Sequence, residues 1–401
     1  MSAALYLYDD PADRPRFEPF SVSRPLGELR YGAFLLRERW EDALGRPVAA
    51  HLAAEHLRDF VEPDAPPVAR HPDVTLEPRF VFRSTFVPAA DFAADIPKRA
   101  VRFVDAEGTA VGAGLPDGAA WPGLPVPPEW PEVRVSGKLL SGVWELVGDL
   151  PLALRADLEV LRGRHASGVP DGATVLGDAS LVMAADAVVE PHVVFDVRGG
   201  PVWLGRGVEV RAFTRLSGPL VVGPGSRIVG GQLRESAIGP RCVVNGEVSN
   251  CLFLGYANKA HDGFLGHAVV GRWANLGAGT INSNLKNTYG PVRLHVGGER
   301  VETGLTFLGA MIGDHVKTAI GTMLPTGCVI GTGANLFGST RPDSLVPAFA
   351  WGTDEPGRVL QCKAFLETAG RVLPRRDVAC DEQTRRFLAA LWSAATGQPC
   401  D

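Results

Sequence analysis

No apolar run in this chain reaches the ~18 residues that a membrane-spanning helix needs. The opening stretch MSAALYLYDDPADR also lacks a basic n-region, so neither a spanning helix nor a secretory leader is expected. Positive charge is short as well: 40 Lys and Arg against 45 Asp and Glu leave −5, which excludes a basic field that recruits nucleic acid. The six cysteines (242, 251, 328, 362, 380, 400) form no CxxC pair and no metal-like spacing with histidine. They read as buried or free thiols in a reducing cytoplasm, with no bound metal. Gly (47) and Pro (32) are plentiful, which points to many turns and little long helix. At 401 residues the chain is long enough for more than one core.

A search for repeats accounts for the glycines. Apolar residues return every six positions in four stretches. Leu176, Val182, Val188 and Val194 form the first; Leu204, Val210, Leu216, Val222 and Ile228 the second. Phe264, Val270 and Leu276 form the third, and Ile312, Thr318, Leu324, Ile330 and Leu336 the last, with one polar member. A period of six fits neither a helix nor an alternating sheet joined by hairpins. It fits a left-handed, three-sided parallel β-helix in which each side is a short strand plus a corner, the corner taken by Gly, Asn or Asp. Three such hexads close one coil, and stability accumulates as coils stack. A β-sandwich with evenly spaced strands competes with this reading, but unbroken six-steps argue against it. The stretch 282–308 breaks the rhythm and is expected to leave one corner as an insertion.

Outside the prism, strand-like Ala4–Tyr8, Phe80–Phe82 and Ala100–Val104 alternate with an amphipathic stretch from Glu28 to Leu44, which suggests an α/β domain. The Pro- and Gly-rich stretch 114–133 reads as a linker. The expected organisation is an α/β domain over 1–130, a helical adaptor over 131–167, the β-helix over 168–341 and a helical extension over 342–401, with helices near 357–373 and 381–397.

The richest polar stretch runs from Asn258-Lys259-Ala260-His261 through Phe264-Leu265-Gly266-His267 to Asn275-Leu276-Gly277-Ala278-Gly279-Thr280-Ile281 and Asn284. This run resembles the acetyltransferase half of the bifunctional UDP-N-acetylglucosamine pyrophosphorylase/glucosamine-1-phosphate N-acetyltransferase family. The matching features are a histidine, an aromatic three residues on, Leu-Gly, and Asn-Leu-Gly-Ala-Gly-Thr-Ile leading to a further Asn. The whole chain is similar to a shorter bacterial branch of sugar-nucleotidyltransferase-like proteins, through Asp9-Asp10-Pro11, Ser23-Arg24-Pro25, 255–263 and Ser283-Asn284-Leu285-Lys286-Asn287.

The resemblance implies acetyl-CoA-dependent N-acetylation of an aminosugar 1-phosphate in nucleotide-sugar biosynthesis, by a homotrimer. It implies His261 as general base, since an amine attacks a thioester only when neutral. Lys259, Phe264, Asn275, Asn284 and Lys286 are then substrate ligands, and Arg293 and Lys317 ligands of the acyl donor; His267 receives no role. Two departures stand out: Phe264 replaces the family's usual Tyr, and Ser249-Asn250 replaces a lysine that holds the sugar phosphate.

In the first domain the resemblance implies a degenerate nucleotidyltransferase-like fold. Arg16 and Arg24 would meet a nucleoside triphosphate, and Mg²⁺ would enter if that domain is active. The family's loop glycines are absent, and Leu26 stands in place of its lysine. A sugar-1-phosphate nucleotidyltransferase with the β-helix as scaffold, or a non-catalytic scaffold, are the alternative readings.

Overall fold

The computed structural model describes residues 3–69, 77–355 and 357–400. Met1 and Ser2, part of the stretch read as lacking a leader, lie outside the described residues. Among the described residues no helix is long and apolar enough to cross a membrane.

The first half is built on a seven-stranded mixed sheet. Within it Ala4–Tyr8 pairs in parallel with Val48–Leu52 on one side and with the central strand, Arg79–Arg83, on the other. Ala110–Leu115 runs antiparallel between Arg79–Arg83 and Val101–Val104. Helix α1 (Leu36–Leu44) covers one face, where Trp40 stacks on Phe82 with ring centroids 4.0 Å apart. Trp121 and Val126 cover the other face. The stretch read as a linker is therefore a lid of apolar side chains over the sheet, because Pro and Gly break helices and strands without preventing burial.

The amphipathic stretch 28–44 is helical only in its second half. A tight hairpin, Arg30–Tyr31 against Phe34–Leu35, replaces the first half. Gly32 turns it at φ +66°, and Asp157 Oδ2 accepts from the Ala33 N–H at 2.7 Å. Asp157 lies on α3 (Leu150–Arg164), which follows the single turn α2 (Glu145–Gly148). A tertiary partner more than 100 residues away overrides local helix preference here.

The second half is a parallel β-solenoid with three faces. One face has nine strands, from Val182–Met183 to Leu345–Val346. A second runs through six strands from Thr174–Leu176 to Phe264–Gly266, and a third through five from Val188–Val189 to Asn258–Lys259. Val210, Leu216, Val222, Ile228, Val270, Leu276, Ile312, Leu324, Ile330 and Leu336 all enter the solenoid core as the period of six requires. Four members of the series do not: Leu176 and Val194 lie outside the core while their neighbours Val175, Val193 and Phe195 pack in it, and Val188 and Phe264 are the other two. Val188 is 65% exposed while Val189 faces inward, and Phe264 faces outward while Leu265 is buried. Adjacent strand residues point to opposite sides, so two consecutive apolar residues leave the inward one undecided by spacing alone.

The nine-stranded face is the docking face. Its outward row, Val221, Ala237, Leu252, Val269, Met311 and Val329, is buried under Trp144, Leu146, Leu150, Leu154 and Leu158 and under Val292 and Leu294 of the insertion. The insertion forms the hairpin Arg293–Val296/Glu299–Glu302, and its turn reaches the first domain, where Glu18 Oε2 accepts from Gly297 N–H at 3.0 Å.

Helices α4 (Cys362–Val372) and α5 (Glu382–Thr396) pack with Leu57 and Phe60 of the first domain and Phe349 of the solenoid. Cys362 and Cys400 form a disulfide with Cα atoms 5.5 Å apart, which corrects the reading of all six cysteines as thiols. Their spacing of 38 residues carries no signal, because only the return of the chain along α5 brings them together. Cys242, Cys251 and Cys328 are buried thiols.

Candidate functional site

The coil from Asn258 to Ala274 carries most of the predicted residues, but the three-sided geometry distributes them over different faces. Asn258 and Asn275 are register partners on the third face, and Asn258 Nδ2 donates to Asn275 Oδ1 at 2.9 Å. Lys317 follows one coil later in the same outward row. We call this the carboxamide face. His261 sits at the next corner, exposed, and among the described residues its ring makes no hydrogen bond.

Lys259 occupies the inward position beside Val244, where the stack calls for an apolar residue. It is 2% exposed, and its Nζ donates to the His261 carbonyl at 2.7 Å. Burial pulls its pKa down to about 8, against a smaller upward pull from Asp262. The expectation of Lys259 as a surface ligand for phosphate is corrected: it braces the corner that presents His261.

The second face gathers a different set. Phe264 and Gly266 point outward from Phe264–Gly266, and His267 turns the corner at φ 52°. Asn284 folds back from the start of the insertion so that its Nδ2 lies 2.9 Å from His267 Nδ1. Gly266 is required by this close approach, since a β-carbon there would collide with the Phe264 ring and Asn284 Nδ2. The His267 ring stacks on Phe307 from the far end of the insertion, at 5.4 Å. Burial, with a smaller contribution from Arg234, lowers the His267 pKa to about 4, so the ring is neutral at physiological pH. Asn282 lies beneath, its side chain accepting from Gly266 N–H and donating to Gly266 O, both at 2.8 Å. That carboxamide takes the place of a peptide group where the insertion interrupts the ladder.

Arg234, one coil back, donates from Nε to Ser249 Oγ at 2.8 Å. A cation therefore stands over Ser249, where the resemblance led us to expect a missing lysine. Its signal in the sequence is its register: Arg234 and Ser249 are direct partners in adjacent strands, 15 residues apart. Phe307 was unmarked and His267 was given no role because the contact that joins them closes across the whole insertion. Lys286 lies half-buried in the loop after Asn284.

The remaining predicted residues are elsewhere. Arg293 pairs with Glu302 across the inserted hairpin, so it does not join Lys317 on the carboxamide face. Arg16 lies over the Trp144 ring at 5.3 Å. Arg24 is enclosed: it donates to Asp314 Oδ2 at 2.6 Å and to both oxygens of Glu62, which also pairs with Arg272. Arg24 thus joins the first domain to the solenoid and does not face a nucleotide, which corrects the expectation for it.

The aspartates of the preceding loop, whose Asp9-Asp10 pair could hold Mg²⁺, are engaged in the same way. Asp9 is buried, with one oxygen accepting from Leu26 N–H and the other from Ser84 Oγ. Burial raises its pKa, and those hydrogen bonds oppose the rise. Asp13 accepts from Arg83 and from Thr85 Oγ1. Asp10 pairs with Arg83 at 3.4 Å and accepts from the Ala12 N–H at 3.0 Å, so all three aspartates of this loop have internal partners, and among the described residues no cluster of three or more metal-ligating side chains occurs.

Comparison with known proteins agrees with this two-part organisation. Residues 5–165 match the family model of sugar nucleotidyl transferases. The chain is 28% identical over 227 residues to the bifunctional protein GlmU of Jannaschia sp., covering 53% of this chain and 46% of that protein. It is 33% identical over 91 residues to a bifunctional sugar-1-phosphate nucleotidylyltransferase/acetyltransferase of Sulfurisphaera tokodaii, covering 23% of each. Against the bifunctional protein GlmU of Paramagnetospirillum magneticum the figures are 28% over 209 residues, 49% of this chain and 42% of that protein. The chain spans less than half the length of the curated relatives it matches. The chain is thus similar to GlmU proteins over part of its length, with a match to the sugar nucleotidyl transferase model over residues 5–165 and a parallel β-solenoid behind it.

Proposed function

We propose that the chain is a sugar-phosphate-modifying transferase that N-acetylates an aminosugar 1-phosphate of the glucosamine 1-phosphate class, with acetyl-CoA as donor. The observation that carries this reading is the contact of His267 with Asn284 beside Phe264, on the coil whose preceding corner holds His261. His261 takes a proton from the substrate ammonium or from the attacking amine. The amine nitrogen bonds to the thioester carbonyl carbon, the C–S bond breaks, and coenzyme A leaves with a proton on sulfur.

With Asn284 Nδ2 donating to Nδ1, the His267 proton resides on Nε2. That N–H, on a ring kept neutral by burial, is suited to donate to the oxyanion as it forms. Arg234 over Ser249 supplies the cation for the sugar phosphate, with Lys286 a second.

The assembly that fits is a homotrimer. The docking face is covered, while Ile281 and Met323 stand outward on the second face and Ile320 at its corner, exposed by 39%, 44% and 77%. Such an apolar strip is suited to another copy.

The second reading, nucleotidyl transfer by the first domain, is favoured by the family match over residues 5–165. It is opposed by the engagement of Arg24, Asp9 and Asp13 in internal contacts. Glucosamine 1-phosphate is offered with acetyl-CoA in one series and with UTP and Mg²⁺ in another. The proposal expects thiol release in the first; pyrophosphate release in the second with no thiol release in the first overturns it in favour of nucleotidyl transfer.

A further inference from the structure

The last turns of the chain build a second polar site that the acyl-transfer reading does not use. After α4 the chain makes a 3-10 turn, Leu373–Arg376, against the carboxamide face at the corner opposite His261. A pocket of about 250 Å³ opens there. Its wall holds Lys317, Arg375 and Arg376, the carboxamides of Asn258 and Asn275, and Trp273, which stacks on Tyr256 at 4.5 Å.

Three cations line this pocket and no carboxylate does. The partners of the cations are backbone carbonyls: Lys317 Nζ donates to His315 O at 3.1 Å, and Arg376 donates to Arg241 O at 3.2 Å and Arg375 O at 3.3 Å. Among the described residues neither Lys317 nor Arg375 forms an ion pair. Arg375 is exposed at the mouth. Holding three like charges around one small concavity is unfavourable unless an anion enters it. The carboxamides add neutral donors, and the Trp273 ring adds a flat wall for a single ring.

We propose that this pocket binds a phosphate-bearing small molecule, either a sugar phosphate or a nucleotide, through Lys317, Arg375 and Arg376. It is smaller than sites that enclose a drug-sized ligand, so it holds the phosphate end and one ring. The site shares Asn275 with the residues expected to bind the sugar phosphate and Lys317 with those expected to bind the acyl donor.

Calorimetric titration of the full chain tests it, with inorganic pyrophosphate, UDP, glucosamine 1-phosphate and uridine as separate probes. At least one phosphate-bearing probe is expected to bind saturably and uridine at least about tenfold more weakly; which probe is tightest separates nucleotide from sugar phosphate. Arg375→Gln with Lys317→Gln is expected to weaken that binding at least about tenfold, and Arg375→Gln alone, on an exposed side chain, by a smaller factor in the same direction. Should the double variant not fold, the single variant decides. Unchanged affinity in the variant that is read, or no binding of any phosphate probe by the unaltered chain, overturns the proposal. Thiol release by the unaltered chain and by the Arg375→Gln variant is followed separately, so failure here is distinguished from failure of the acyl-transfer reading.

Discussion

Removing Asp314 should loosen the joint between the first domain and the solenoid. Arg24 and Arg272 face Glu62 and Asp314 in a cluster of two cations and two anions, with no side chain more than 9% exposed. Burial pulls the Arg24 guanidinium down, but Asp314 and Glu62 outweigh it and hold the charged form. Asp314 also accepts from Ser23 Oγ at 2.9 Å and from the Arg272 backbone N–H at 2.7 Å. Asp314→Ala therefore leaves an uncompensated buried guanidinium and the Arg272 backbone N–H without its acceptor, a loss of about 3–5 kcal/mol. With ~2.1 cal/mol/K of unfolding entropy per residue, 401 residues give ~0.8 kcal/mol/K, so Tm should fall by roughly 4–6 °C in a cooperative transition. Scanning calorimetry reads this directly. Arg24→Met combined with Asp314→Leu should recover much of the loss, because it removes both charges together. A fall below about 1 °C for Asp314→Ala, or a double variant as unstable as the sum of the singles, refutes the reasoning.

Lys259→Met should stabilise the chain. Its folded pKa of about 8 lies below the 10.5 of an exposed lysine, so folding is penalised while the amine is charged, by at most ~3 kcal/mol, and the penalty fades as pH rises from 8 to 10.5. The gain from Lys259→Met, measured by denaturant unfolding, should accordingly shrink over that window. His267 and His315 have folded values of about 4 and about 3 against 6.5, so the unfolded chain binds their protons first. Stability should fall as pH drops below about 6.5, and His315→Phe should flatten that fall. Asn282→Ala leaves Gly266 N–H and C=O unsatisfied and should cost about 2–4 kcal/mol by the same unfolding measurement. Asn284→Ala frees the His267 ring, and kcat for thiol release should drop about 10- to 100-fold while the fold persists.

The solenoid was legible because a stack repeats one decision at every coil: Val210, Leu216, Val222 and Ile228 fill equivalent inward positions. Where two apolar residues adjoin, as at Val188-Val189, the spacing could not choose the inward one. The docking face was not legible, since its outward row looks like any other strand until α3 covers it. Of the candidate site, the polar coil 258–267 stood out in the sequence, but which residues meet did not. Phe307 and Asn284 reach His267 only through closure of the insertion, and Arg234 only through register. Arg24 is a cation near the loop in both sequence and structure, but its partner lies 290 residues away. Pairing at that distance leaves no local pattern.

The central claim is that the corner of His261 performs acyl transfer. The most direct measurement is formation of the N-acetylated sugar phosphate from glucosamine 1-phosphate and acetyl-CoA, followed together with free thiol, for the unaltered chain and for His261→Ala. The account predicts equal amounts of product and thiol from the unaltered chain. It predicts a loss of about 10²–10⁴-fold in the variant, at unchanged Tm because the exposed ring makes no hydrogen bond among the described residues. Equal rates for the two proteins, or no product from either, would contradict it.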